Sequence, residues 1–106
     1  MFRAMGSGGR FKTGVEILEN ELAEEKAGAL GRAGRRVAKS LDALKAWTGG
    51  GEKRVDLVYD AADAVWCFFI QRESLGLRDQ RPVIEHYAIP REVLVRLGAR
   101  RPKVKA

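Results

Sequence analysis

The sequence predicts an all-α fold: a small helical bundle with one long N-terminal helix, a buried central helix and two short C-terminal helices. Three observations carry that reading. Residues 15–47 place Val15, Leu18, Leu22, Ala29, Ala33, Val37 and Leu44 on one face at helical spacing. Residues 52–75 are apolar around most of a helical circumference, the pattern of a helix packed on several sides. Glycine and proline then punctuate the remainder where helices stop and start.

The first helix would be about 50 Å long at 1.5 Å per residue. Its charge is polarised: Glu16, Glu19, Glu21, Glu24 and Glu25 precede Lys26, Arg32, Arg35, Arg36 and Lys39. That order suits the helix macrodipole, and it would let two copies lie antiparallel, acidic half against basic half. A solvated face with favourable end charges is the plainer reading and is preferred. The connector is "TGGGE", residues 48–52. In the second helix Val55, Val58, Tyr59, Ala62, Val65, Trp66, Phe69 and Ile70 form one apolar arc, and Leu57, Ala61, Ala64 and Phe68 a second. Asp56, Asp60, Asp63, Cys67 and Gln71 make the polar strip. The alternation in "RVDLVYD" also fits a short strand, but the helical pattern is the stronger. Gly76 followed by Leu77 predicts a Schellman stop, with glycine in the left-handed conformation and leucine folding back. Asp79 is placed to cap a third helix ending near Tyr87, and Pro90 to open a last one that Gly98 ends.

A chain of 106 residues is expected to form one domain with a core that needs neither disulfides nor metals. Residues 1–13 read as a flexible basic arm, 14–99 as the single helical domain and 100–106 as a basic tail. The net charge of +6 sits at the ends, with +3 in residues 1–14 and +5 in residues 71–106. Such ends suit nucleic acid, and they suit plain solubility as well. One cysteine, Cys67, leaves no disulfide framework and no metal knuckle. No signal-peptide pattern is visible, and the longest apolar run, "AVWCFFI", is far short of a membrane span. A cytoplasmic protein without a membrane partner is the expectation.

The stretch "KAGALGRAGRR" sets three glycines at every third position of a helix, each costing about 1 kcal/mol relative to alanine. It is not a dinucleotide fingerprint, which needs GxGxxG directly after a strand. "LGRAGRRV" resembles the GxxG loop of the KH RNA-binding family, which would place Arg32 over phosphates. Packing explains more. Ala27, Gly31, Gly34 and Ala38 form a stripe of small residues to one side of the large apolar face, a groove for a close helix within the chain or between chains. Gly28 lies off that stripe.

"PVIEHYAIPREVLVRLGARR" resembles a helix-turn-helix DNA reader, with Val83, Tyr87, Ile89, Leu94 and Leu97 holding the pair together. The resemblance implies that Arg91, Glu92, Val95 and Arg96 face the major groove and Arg100, Arg101, Lys103 and Lys105 lie near phosphates. Ile84 departs from that family, which wants a small residue there. A C-terminal hairpin closing the core is the structural alternative.

Catalytic patterns are poor. His86 is the single histidine, no nucleophile is marked for it, and no metal-ligand spacing occurs. Cys67 reads as a small core hydrophobe, and Trp47, Trp66, Phe68 and Phe69 as core. No enzyme, cofactor, metal or small-molecule ligand is expected.

Taken together, "EKAGALGRAGRRV", "AADAVWCFFIQRESLGLRD" and "VIEHYAIPREVLVRLG" resemble a small bacterial domain family of unknown function over residues 15–99. The resemblance implies a compact helical domain. Its most distinctive part, "QRESLGLRD", ends the central helix, and there Arg72, Glu73, Arg78 and Asp79 would lock a structural corner by charge-assisted hydrogen bonds. The expected role is therefore a non-enzymatic interaction or structural module, a homo-oligomer built on the glycine groove or a binder of a protein partner. DNA binding through the C-terminal pair and tail is the alternative.

Overall fold

The computed structural model describes residues 14–101, so the expected N-terminal arm and the end of the basic tail, with Lys103 and Lys105, lie outside the described residues. The chain forms α1 (Gly14–Ala46), α2 (Gly51–Ser74), α3 (Arg81–Tyr87) and α4 (Arg91–Leu94), and no strand occurs among the described residues. "RVDLVYD" is therefore helical, which removes both the strand reading and the flanking strands that a KH loop would require. Helix α1 runs unbroken through Gly28, Gly31 and Gly34.

A four-residue connection folds α2 back antiparallel along the C-terminal half of α1. Val37, Leu41 and Leu44 on α1 recur at spacings of four and three, as do Val58, Ala61, Val65 and Phe68 on α2, so each helix presents one row. Val37 and Val65 lose all contact with solvent. Helix α3 lies across α1 and α4 against α2, contributing Val83 and Val93 to the same core, with Ile89 between them.

Helix α2 ends in a complete Schellman motif: Leu77 N–H donates to the Arg72 carbonyl and Gly76 N–H to that of Glu73, both at 2.9 Å, with Gly76 at φ 85°. Helix α3 ends alike, since Ile89 N–H reaches the Ile84 carbonyl, but the left-handed position is held by Ala88 at φ 50°. Two boundaries differ from expectation. The N-cap of α3 is Gln80, and Asp79 acts one residue earlier by accepting a bond from the Arg81 N–H at 3.1 Å. Helix α4 is one turn; beyond it Arg96 and Leu97 donate to carbonyls three residues back, and Gly98 turns left-handed at φ 75°. β-Branched Val93 and Val95 just before that glycine give little support to a longer α-helix.

The aromatic expectation divides. Phe68 and Phe69 are buried, whereas Trp47 and Trp66 are about two-fifths exposed and lie over Gly49 and Gly98 respectively. Central helix α2 is packed on fewer sides than its apolar circumference implies, because Val55, Trp66 and Ile70 share a face that stays partly exposed.

Left-handed alanine costs about 1 kcal/mol that glycine avoids. Ala88→Gly is expected to raise unfolding free energy by up to about 1 kcal/mol in urea titration, and Gly76→Ala to lower it by a similar amount.

Candidate functional site

The small-residue stripe resolves into two halves with different surroundings. At Gly34, which is buried, a β-carbon would stand 3.1 Å from the Tyr87 hydroxyl and 3.5 Å from the Phe68 ring. That glycine admits α3 and α2 of its own chain, with Phe68 and Tyr87 meeting edge to face at 6.1 Å. At Gly31 a β-carbon would meet only the mobile end of Arg35 at 3.4 Å, and at Gly28 only that of Arg32. The fold itself does not require glycine at either position.

Ala27, Gly31, Gly34 and Ala38 floor an open groove of about 420 Å³ walled by Leu30, Arg35, Phe68 and Tyr87. A second apolar groove lined by Glu19, Leu22, Ala23, Lys26 and Leu75 shares Ala27 and Leu30 with it, so one trough runs along α1 from Glu19 to Ala38. Its N-terminal wall belongs to a helical overhang. Residues 14–27 are exposed throughout, and the first fully buried position of α1 is Ala33. Val15, Leu18 and Leu22, expected to join the buried face, are instead 64%, 66% and 53% exposed on this overhang. Leu75 and Leu77, at the turn after α2, add further exposed apolar surface.

The expected corner forms with partly different members. Arg72 Nε donates to Gln80 Oε1 at 2.8 Å and its Nη2 to the Asp79 carbonyl at 3.0 Å, while its guanidinium stacks over Phe68. Gln80 Nε2 closes the loop on the Leu77 carbonyl. Asp79 takes a bidentate pair from Arg81 at 3.0 and 2.9 Å. Those guanidinium bonds, then the Arg81 backbone N–H, hold the Asp79 carboxyl at about 2, against an ordinary 3.8. Glu73 contributes its backbone carbonyl, and Arg78 stands exposed outside the lock. Residues 72 and 79 were legible from charge; Gln80 was not, because only the turn brings it back onto α2, and Arg81 joins through Asp79, two residues before it.

The basic positions of the DNA reading are dispersed. Arg96 donates to the Glu92 carbonyl at 2.6 Å and lies over the Tyr59 ring, Glu92 is paired with Arg54, and Arg101 with Asp56. These contacts tie α4 and the chain beyond it to the first turns of α2. Arg91 and Arg100 are exposed. Val83 and Ile89 are buried, and Ile84, Tyr87, Leu94 and Leu97 pack against them, so the C-terminal pair does close the core. Elsewhere Arg36 donates to Asp63 at 2.7 Å, which raises the arginine's affinity for its proton. Cys67, expected in the core, is half-buried beside that pair in a groove with Arg32 and Gln71. Exposed His86 stacks edge to face on Tyr87 at 4.7 Å. Among the described residues no three His, Cys, Asp or Glu side chains gather where they could hold one metal ion. No helix among them is long and apolar enough to cross a membrane.

Two predictions separate the halves of the stripe. Gly34→Leu must displace Phe68 and Tyr87 and is expected to lower stability by about 1–3 kcal/mol, whereas Gly31→Ala is expected to raise it by about 0.4–1 kcal/mol in denaturant titration. For Asp79 the folded pKa lies below the unfolded one. Its contribution is therefore complete above pH 3.8 and is lost as pH falls through about 2. Asp79→Asn should flatten the pH dependence of unfolding in that window, measured by urea midpoints.

No curated protein and no solved structure matches the chain. Residues 7–104 match a family of unknown function, DUF6665. The matched residues include all four helices. The protein belongs to the DUF6665 family of unknown function.

Proposed function

We propose that this chain is a non-catalytic helical interaction module that self-associates through the protruding half of α1 and the groove beside it. The observation carrying this reading is the overhang, residues 14–27, which holds Val15, Leu18 and Leu22 exposed on a helix that no other helix among the described residues covers. A helix of that length is marginal in water without tertiary contacts. Burial of each such side chain contributes about 1.5–3 kcal/mol, so a partner on this face stabilises both the contact and the helix that makes it. A contiguous exposed apolar surface of this kind is a signature of association. Glycine at position 31, which the monomer does not need, leaves the trough floor flat for an incoming helix.

DNA binding has less support. Helix α4 is a single turn, and Arg96 and Arg101 are engaged within the chain. Fluorescence anisotropy with duplex DNA across a salt series tests it directly: submicromolar affinity with a steep salt slope would displace the self-association reading.

Sedimentation equilibrium is expected to show a dimer for the natural chain. Gly31→Leu and Leu22→Glu should shift the population to monomer, by tenfold or more in dissociation constant, while circular dichroism shows the bundle still folded. A chain that stays monomeric at high concentration would sink the proposal.

A further inference from the structure

We infer that the occupant of the α1 trough is a second copy of this chain laid antiparallel, with the two-fold axis passing close to Ala27. This rests on the self-association proposed above and fixes its orientation. Glu19, Glu21, Glu24 and Glu25 lie on the overhang, and Lys26, Arg32 and Arg35 follow directly. Among the described residues none of these seven forms an ion pair within its own chain. All are exposed, so their charges remain available to a partner.

Orientation follows from the order of the two blocks. In a parallel pair, acidic overhang meets acidic overhang and basic stretch meets basic stretch. In an antiparallel pair each acidic overhang lies along the basic stretch of the other copy. Charge patterning of this kind selects partner and register, because like charges brought together in a partly desolvated interface are penalised.

The trough supplies an independent geometric argument. With the two-fold axis at Ala27, residues 14–26 of one copy lie along residues 28–40 of the other. The open groove flanking that segment is floored by Gly31 and Ala38. On the face that Ala27 turns to the axis, each overhang carries Asn20, Ala23 and Glu24, which lie along the other copy's groove, and the pair closes with no further copy added. A parallel pair would instead match overhang to overhang and leave both grooves at Gly31 and Ala38 empty.

Spin labels at Asp42→Cys in a Cys67→Ser background read the orientation, since Asp42 is exposed and lies just beyond the proposed contact. At 1.5 Å per residue the antiparallel dimer places the two labels about 45 Å apart, and a parallel dimer about 20 Å or less. A dimer with the short distance would overturn the antiparallel arrangement while leaving self-association intact. Absence of any dimer would overturn both. Salt gives a second readout: raising it from about 50 to about 500 mM should weaken an antiparallel dimer roughly tenfold by screening opposite charges. A dimer that tightens with salt would indicate like charges in contact and reject the inference.

Discussion

The antiparallel contact between α1 and α2 is the constraint from which the other features descend. Val37, Leu41 and Leu44 occupy spacings that keep them on one stripe, and Val58, Ala61, Val65 and Phe68 answer from α2. Small residues at Ala33, Gly34, Ala61 and Ala64 bring the two backbones close, and dispersion across a close interface grows steeply as gaps vanish. Because α2 is the shorter helix and begins where α1 ends, it finishes near Lys26 and Leu30 with Leu75 at the turn, and among the described residues no helix pairs with α1 before that point. The overhang is thus a consequence of unequal helix lengths joined by a short connection.

The same contact determines how the chain finishes. The Schellman motif at Gly76 turns the backbone off α2, and Arg72 reaches across that turn to Gln80 and the Asp79 carbonyl. The direction so imposed brings α3 over Gly34, where the absence of a side chain makes room for Tyr87. At the far end of α2, Arg54, Asp56 and Tyr59 receive Glu92, Arg101 and Arg96. These are partly exposed pairs, individually worth about 0–1 kcal/mol, and their role is to orient the last segment more than to stabilise it. Arg96 and Arg101, which look available for phosphates in the sequence, are engaged for that reason.

Function, in this reading, belongs to the part of the molecule that the fold leaves over. A core-facing stripe that continues past the end of its own core is an unsatisfied surface, and the charge order along it is asymmetric in a way that distinguishes the two possible orientations of a partner helix. The glycines express both needs at once: Gly34 serves the monomer, while Gly31 has no task there.

Much of the architecture was determined by the sequence alone. Periodicity gave both long helices to within a residue at each end, the glycine–leucine pair located the Schellman stop, and the all-α class followed from those elements. Local rules succeed there because a 3.6-residue repeat and a left-handed glycine depend on neighbours along the chain. The tertiary structure decided what those rules cannot see. Apolar residues at helical spacing look alike whether a second helix covers them, as at Val37, or ends short of them, as at Leu18. Trp66 and Phe69 belong to one apolar helix, yet only Phe69 meets the core, because burial depends on where α3 and α4 are carried by the turns. The division of the glycine stripe between Tyr87 and open groove, and the engagement of Arg96 and Arg101, rest likewise on contacts between residues far apart in sequence, which no local pattern encodes.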